Sequence, residues 1–366
     1  MLLMTICSFV VAFMISVIAI PSIIKVADLK HLMDEPDSTR KLHVKRTPTL
    51  GGISIFAATI FSYSAVADFL EIKYEIKMMI PALILLFFAG VKDDILILSP
   101  LKKLFTQFIC AALITIIGNM RITSLWGMFG ITDISPFTGA LLTFLVVVSL
   151  INAFNLIDGV DGLAGGLGFI ASMFFGIWFA LTNATASAIL SFSLAGSLLG
   201  FLFFNYRNAK IFMGDTGSMI LGFIISILAI KFIESNRASD IVSSPFYIKA
   251  APGVAIAAVL IPLLDMTRIF FHRVLQGKSP FSADRNHIHH LLIDLGLSPL
   301  QVTLCLHFFA IAFIGIGLLL RELRSMNLVL ILIVLITLLK SILLFVHKYQ
   351  ICHKKRQPNI IRHNIT

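Results

Sequence analysis

The chain has 366 residues, 58% of them hydrophobic and only 13% charged, with a net charge of +10. Soluble domains carry roughly 25% charged residues, so this composition excludes a soluble globular protein, a disordered chain and a coiled coil. At about 20 residues per crossing the apolar content suffices for a polytopic membrane protein, in which excess positive charge reports topology before it reports nucleic-acid binding.

Taken in chain order, apolar stretches place eleven spans near 1–24, 49–70, 76–91, 104–118, 138–154, 163–182, 186–204, 218–233, 250–271, 299–320 and 327–346. The first lacks the basic flank and cleavage site of a signal peptide and reads as a membrane helix. An odd number of spans puts the termini on opposite sides. Lys and Arg divide unevenly between alternate loops: twenty fall in 25–48, 92–103, 155–162, 205–217, 268–298 and 347–366, and seven in the opposite set. The positive-inside rule makes the first set cytoplasmic, the basic tail 347–366 included. The same loops hold every polar motif, and the longest, about 31 residues, is too short for a separate domain. The expected fold is all-α: one integral-membrane domain over 1–366, a polytopic helix bundle of about 11 spans with a cytoplasmic active-site cleft.

In loop 25–48, Asp34, Asp37, Arg40, Lys41, His43, Lys45 and Arg46 form a basic juxtamembrane segment suited to anionic headgroups. Part of it, with His43 and Lys45 as candidates, can meet a lipid phosphate. Asp93 and Asp94 close the third span, after Lys92. Neighbours on a helix point about 100° apart, so the two suit divided labour better than joint grip on one ion. Asn152, Asn155, Asp158 and Asp161 recur every third residue. A regular helix would scatter them around its axis, so the segment is either 3₁₀-like or leaves the helix near Gly159. The nearby Gly162, Gly165, Gly166 and Gly168, like Gly196 and Gly200, read mostly as close helix packing.

Phe212 to Ser218 reads FMGDTGS just before a span. Asp215 lies between glycines, and Ser218 is a candidate cap for the following helix, whose N-terminus favours anions. A carboxylate beside an anion site calls for a cation between them, which argues for Mg²⁺. Asp284, Arg285, His287, His289 and His290 form the densest polar cluster. Its spacing lacks HExxH and suits a diphosphate better than Zn²⁺. His307 and Lys340 are polar residues deep in late spans and are left without a role.

Together NAFNLIDGVDGLAGG, FMGDTGS, the KDD pair and SPFSADRNHIHHLLIDLGLS resemble the bacterial polyprenyl-phosphate N-acetylhexosamine 1-phosphate transferases of the WecA and TagO type, glycosyltransferase family 4, relatives of MraY. The resemblance runs over the core motifs, 34–298. The WecA type is described with eleven spans and a cytoplasmic C-terminus. MraY has ten spans and three adjacent histidines, and HIHH departs from that. The resemblance implies transfer of a sugar 1-phosphate, GlcNAc 1-phosphate being the family's commonest, from a UDP-sugar to undecaprenyl phosphate with release of UMP.

It also implies a bacterial inner-membrane location, a Mg²⁺ cofactor with Mn²⁺ as a substitute, no nucleic-acid partner, and room for a homodimer. By similarity Asp215 is the metal ligand, with Asn155 beside it. Asp93, Asp94, Asp158 and Asp161 are the catalytic candidates. Asn152, Asn155, Phe212, Arg285, His287, His289, His290, His43 and Lys45 are the substrate-binding ones, Phe212 stacking on uracil. Asp34, Arg40, Lys41 and His43 resemble the family's first-loop pattern with altered spacing. The expected chemistry is direct displacement at the β-phosphorus. The rivals are an MraY-like phospho-MurNAc-pentapeptide translocase and, from another class, a transporter, which would place its charges near the bilayer midplane.

Overall fold

The computed structural model describes residues 2–32, 47–67, 78–96, 98–277 and 288–356. The candidates in loop 25–48 from Asp34 to Arg46, and Asp284, Arg285 and His287, lie outside them. The described residues are almost wholly helical, with a single isolated bridge between Ser124 and Asp133. In chain order the helices are α1 (Leu2–Leu29), α2 (Gly51–Ala67), α3 (Met79–Leu96), α4 (Pro100–Ala112, prolonged by a π turn, Leu113–Ile117), α5 (Pro136–Ile157), α6 (Leu163–Leu181) and α7 (Thr185–Asn205). They continue with α8 (Gly214–Ser235), α9 (Ala251–Ala258), α10 (Leu260–Leu275), α11 (Ile288–Asp294), α12 (Pro299–Leu319) and α13 (Ser325–Arg356); a single helical turn, Ser239–Val242, lies between α8 and α9.

Seven of these are long and apolar enough to cross a bilayer, or up to eight if the bent pair α9 and α10 counts as one. The expectation of eleven is met only to that extent. α2 and the apolar part of α13 are shorter apolar helices, and α3 carries three charges, Lys92, Asp93 and Asp94, near its end. The stretch 250–271, expected as one straight span, is instead bent by 79° between Ala258 and Leu260. Pro262 explains the break: it has no N–H to donate, and its ring clashes with the carbonyl four residues back, at Ala258.

Local chemistry sets several helix starts. Ser298 and Gln301 form a reciprocal capping box ahead of Pro299 on α12, and Ser135 accepts the Thr138 N–H ahead of Pro136 on α5. Both follow the preference for Ser at the cap and Pro at the first helical position.

α8 is the axle of the bundle, with 89% of its crossing stretch buried, against 28% for α1 and α4. It packs against α2, α3, α5, α6, α7 and α9, while α1 covers α2 and α7. Glycines permit this closeness. A Cβ on Gly90 of α3 would lie 2.4 Å from the Thr216 Cα, and one on Gly52 of α2 2.2 Å from the Gly217 nitrogen. On the other side, Gly196 and Gly200 of α7 meet the backbone of α1, at Phe9 and Phe13, as the packing reading expected.

Gly90→Ala should therefore force α3 off α8. Overpacking against backbone costs about 1–3 kcal/mol, so the detergent-solubilised variant should melt several degrees lower. An unchanged melting temperature would mean that the α3–α8 crossing is looser than described.

Candidate active site

The polar residues gather at one end of the bundle, where α3 and α5 finish and α4 and α8 begin. Asp93 and Asp94 stand in the last turns of α3, where the helix dipole disfavours acids. Each is compensated differently. Asp94 turns to α8 and accepts three hydrogen bonds at its start: Oδ1 from the Asp215 N–H (2.7 Å), Oδ2 from the Thr216 N–H (3.2 Å) and hydroxyl (2.6 Å). It thus occupies the positive end of a neighbouring helix and satisfies donors that α8 cannot satisfy itself. Ser218, expected as the cap, lies a turn inside α8 and bonds to the Gly214 carbonyl (3.0 Å). Gly214 precedes Asp215 with φ of +70°, and a Cβ there would strike the Thr49 carbonyl at 2.1 Å.

Asp93 turns the other way. Its Oδ1 accepts the Leu98 N–H and its Oδ2 pairs with the Lys103 ammonium at 2.5 Å. Lys103 at the same time pairs with Asp215 Oδ2. Asp215 Oδ1 accepts from the Asn155 amide nitrogen (2.8 Å), which also donates to the Ser218 hydroxyl (2.9 Å). One ammonium thus sits between carboxylates from α3 and α8.

The spacing-of-three motif resolves as a helix ending at Ile157 followed by the turn Asp158–Gly162. The alternative in which the helix stops near Gly159 is the one adopted. Half-buried Asp158 has its carboxyl pushed up to about 8, first by burial and then by the charges of Asp215, Asp94 and Asp161. Asp161 accepts the Ala209 N–H (3.1 Å), and its own carbonyl accepts the Thr303 hydroxyl of α12 (2.9 Å). Gly162, at φ of +74°, gives its N–H to Asn205 (2.8 Å). Asn152 is drawn elsewhere: its amide nitrogen donates to buried Gln107 of α4 (2.6 Å) and to the Val148 carbonyl (2.8 Å), so it clasps α4 to α5.

Phe212 lies just before α8, where its backbone pairs with the start of α2: its N–H donates to the Pro48 carbonyl (2.8 Å) and its carbonyl accepts from Gly51 (2.9 Å). From the histidine cluster, His289 on α11 packs over the turn, since a Cβ on Gly159 would lie 2.9 Å from its Nε2. His290 lies beside it, ring centroids 4.4 Å apart and planes inclined by 48°. Asp265 of α10 holds α11 there by accepting the Ile288 N–H (2.7 Å).

Sequence reasoning passed over Lys103, Thr216, Gln107 and Asn205. Lys103 was counted only as loop charge, although a lysine ten residues beyond an acidic pair at a span end was a usable signal. His307, left without a role, bonds to the Leu163 carbonyl (3.2 Å) and fills the space at Gly166, where a Cβ would fall 2.0 Å from its ring.

Among the described residues no three His, Cys, Asp or Glu side chains converge to hold a metal by themselves. That excludes a closed cage of these ligands there and leaves a hard ion that keeps its waters and borrows ligand phosphate oxygens, which needs only one or two carboxylates. Asp215 supplies one carboxylate for such an ion, and Lys103 shows that the spot between Asp93 and Asp215 accepts positive charge. Chemically the end of the bundle can hold a polyanion, shield it with a cation and pack a ring beside it.

The glycosyl transferase family 4 model matches residues 76–233, a stretch containing Asp93, Asp94, Asp158, Asp161 and Asp215. The undecaprenyl-phosphate alpha-N-acetylglucosaminyl 1-phosphate transferase of Escherichia coli (strain K12) is 31% identical over 301 residues, 81% of this chain and 78% of that protein. The enzyme of the same name from Salmonella typhi is 30% identical over 299 residues, 80% of this chain and 77% of its own length. The probable undecaprenyl-phosphate N-acetylglucosaminyl 1-phosphate transferase of Bacillus subtilis (strain 168) is 32% identical over 310 residues, 83% of this chain and 82% of that protein.

Proposed function

Since the chain belongs to glycosyl transferase family 4, we propose that it moves a sugar 1-phosphate, GlcNAc 1-phosphate first among candidates, from a UDP-sugar to undecaprenyl phosphate in the bacterial inner membrane. The observation that carries this reading is the Lys103 ammonium held between Asp93 and Asp215 with Asn155 alongside. It is a site for phosphoryl chemistry at a membrane surface, and nearly all charge lies at helix ends, unlike a transporter's midplane site.

In the reaction an oxygen of the lipid phosphate attacks the β-phosphorus of the UDP-sugar. The bond from that phosphorus to the bridging oxygen breaks, and UMP leaves with the electron pair. Mg²⁺ bound at Asp215 and Asn155 would supply charge neutralisation on the diphosphate. Lys103 faces the same anion and balances charge on the leaving UMP, with Asp93 fixing its position. A phosphomonoester is mostly dianionic at neutral pH, its second pKa being about 6, so the nucleophile needs little help from a base. Catalysis rests on orientation and charge complementarity. Asp158, whose carboxyl tends to stay protonated, and His289 packed on its turn are placed to donate hydrogen bonds to substrate oxygens, and Phe212 offers a ring to the uracil.

This reading puts the site and the basic C-terminal tail on the cytoplasmic side, with eleven crossings when α2, α3 and α13 also span. Washed membranes given undecaprenyl phosphate and a panel of UDP-GlcNAc, UDP-GalNAc and UDP-MurNAc-pentapeptide test it. UMP should appear only when lipid and the cognate sugar nucleotide are both present. EDTA should stop it, and Mg²⁺, or less well Mn²⁺, should restore it. Uptake of a UDP-sugar without UMP would favour a transporter, and activity indifferent to EDTA would remove the metal.

A further inference from the structure

At the other end of α8 lies a second polar cavity, about 280 Å³, whose lining includes Trp126, Arg237, Tyr247, Lys249, Arg324 and Ser325. α8 has 22 residues, so at 1.5 Å per residue the cavity is about 33 Å from Asp215. The lining is rich in donors and poor in acceptors. Arg237 is already committed, to Asp133 at 2.6 Å and to the Thr123 hydroxyl. Glu234, the carboxylate beside it, accepts from the Thr123 N–H (2.9 Å) and hydroxyl (2.6 Å). Lys249 and Arg324 have no carboxylate partner among the described residues.

Two buried donors also lack acceptors. Ser325 is 1% exposed and its hydroxyl bonds to nothing, and the indole N–H of Trp126 is buried without a partner. Asn236, the other amide in the lining, is fully used: its nitrogen donates to the Phe232 carbonyl (2.9 Å) and its oxygen accepts the Ile248 N–H (3.0 Å). Ser325 opens α13, whose Asn327 and Leu328 N–H groups both donate to the Arg324 carbonyl (2.9 and 3.2 Å) and leave the Ser325 side chain out of the cap. Trp126 is held at φ of 56°, a left-handed conformation unusual for a bulky residue, so its place in the wall is imposed by the surrounding structure. Unpaired buried donors cost free energy until an acceptor arrives.

We propose that this cavity is an anion site that takes a phosphoryl group, with Lys249 and Arg324 supplying charge and the Ser325 hydroxyl and Trp126 indole supplying fixed hydrogen bonds. The group can come from an anionic phospholipid in the adjoining leaflet or from a free phosphate. The proposal does not depend on the transferase reading.

The chain has two tryptophans, and Trp178 sits in the core against Phe232. Trp178→Phe therefore leaves Trp126 as a reporter. In that background the purified full chain in neutral detergent is titrated with inorganic phosphate and, separately, with short-chain phosphatidylglycerol. A saturable change in Trp126 emission is expected with at least one, and which one responds identifies the source. Lys249→Gln with Arg324→Gln should weaken binding at least about tenfold, while Lys249→Arg with Arg324→Lys retains it. The melting temperatures of both pairs should match the parent's, which certifies their folding. No saturable response to either anion overturns the proposal. So does undiminished binding in the Gln pair, or loss in the charge-keeping pair as complete as in the Gln pair.

Discussion

Asp215→Asn should lower UMP release by about 10²–10³-fold or more while leaving the amount of protein in the membrane unchanged. The substitution keeps the shape of the side chain and an oxygen for the Asn155 amide nitrogen. It leaves Lys103 paired with Asp93, and the start of α8 still capped by Asp94. Only the charge is lost, and with it the proposed anchor for a divalent cation. The melting temperature of the solubilised variant should stay close to that of the parent, so lost turnover cannot be ascribed to unfolding. Turnover above about a tenth of the parent's would remove Asp215 from the metal site, since it falls short of the loss expected for a principal electrostatic group.

The two adjacent aspartates should separate in the opposite sense. Asp94→Ala strips three hydrogen bonds from the first turn of α8 and leaves buried donors unmatched. Losing a cap costs about 0.5–2 kcal/mol and each stranded buried donor about 1–3 kcal/mol. The variant should melt markedly lower and lose activity with its fold. Asp93→Asn keeps an acceptor for Leu98 and changes only the ion pair with Lys103, so it should lower kcat with little change in melting temperature. Thermal melts read alongside UMP release separate the roles. A stable Asp94→Ala variant, or an Asp93→Asn variant of full activity, would contradict the assignment.

Much of this was legible in the sequence because a bilayer imposes so simple a length rule on apolar runs. Among the described residues the predicted spans fall on helix, one of them on the bent pair α9 and α10, and the aspartates of the motifs with Asn155 and His289 come together at one end. What stayed hidden depended on partners distant in sequence. Asp93 and Asp94 were expected to divide their labour, but only the position of α8 shows that one caps a helix while the other holds Lys103. Asn152 and Asn155 share a motif and lie one turn apart, yet Gln107 draws the first toward α4 and Asp215 the second toward α8. The bend before Pro262 was readable locally, but a continuous apolar run masked it, because lipid-facing hydrophobicity does not record whether the backbone runs straight.

The enclosure of α8 bears on how the protein meets bilayers of different thickness. A helix surrounded by other helices has no hydrophobic length of its own to match to the lipid. Mismatch must be absorbed by tilting of outer helices such as α1 and α4. Those tilts reach Asp215 through Lys103 of α4, which pairs with it directly, and through crossings at Gly52 and Gly90, where backbones already touch and have little room to slide. The position of Asp215 relative to the helices packed on α8 is therefore set by the protein's own contacts rather than by the thickness of the bilayer.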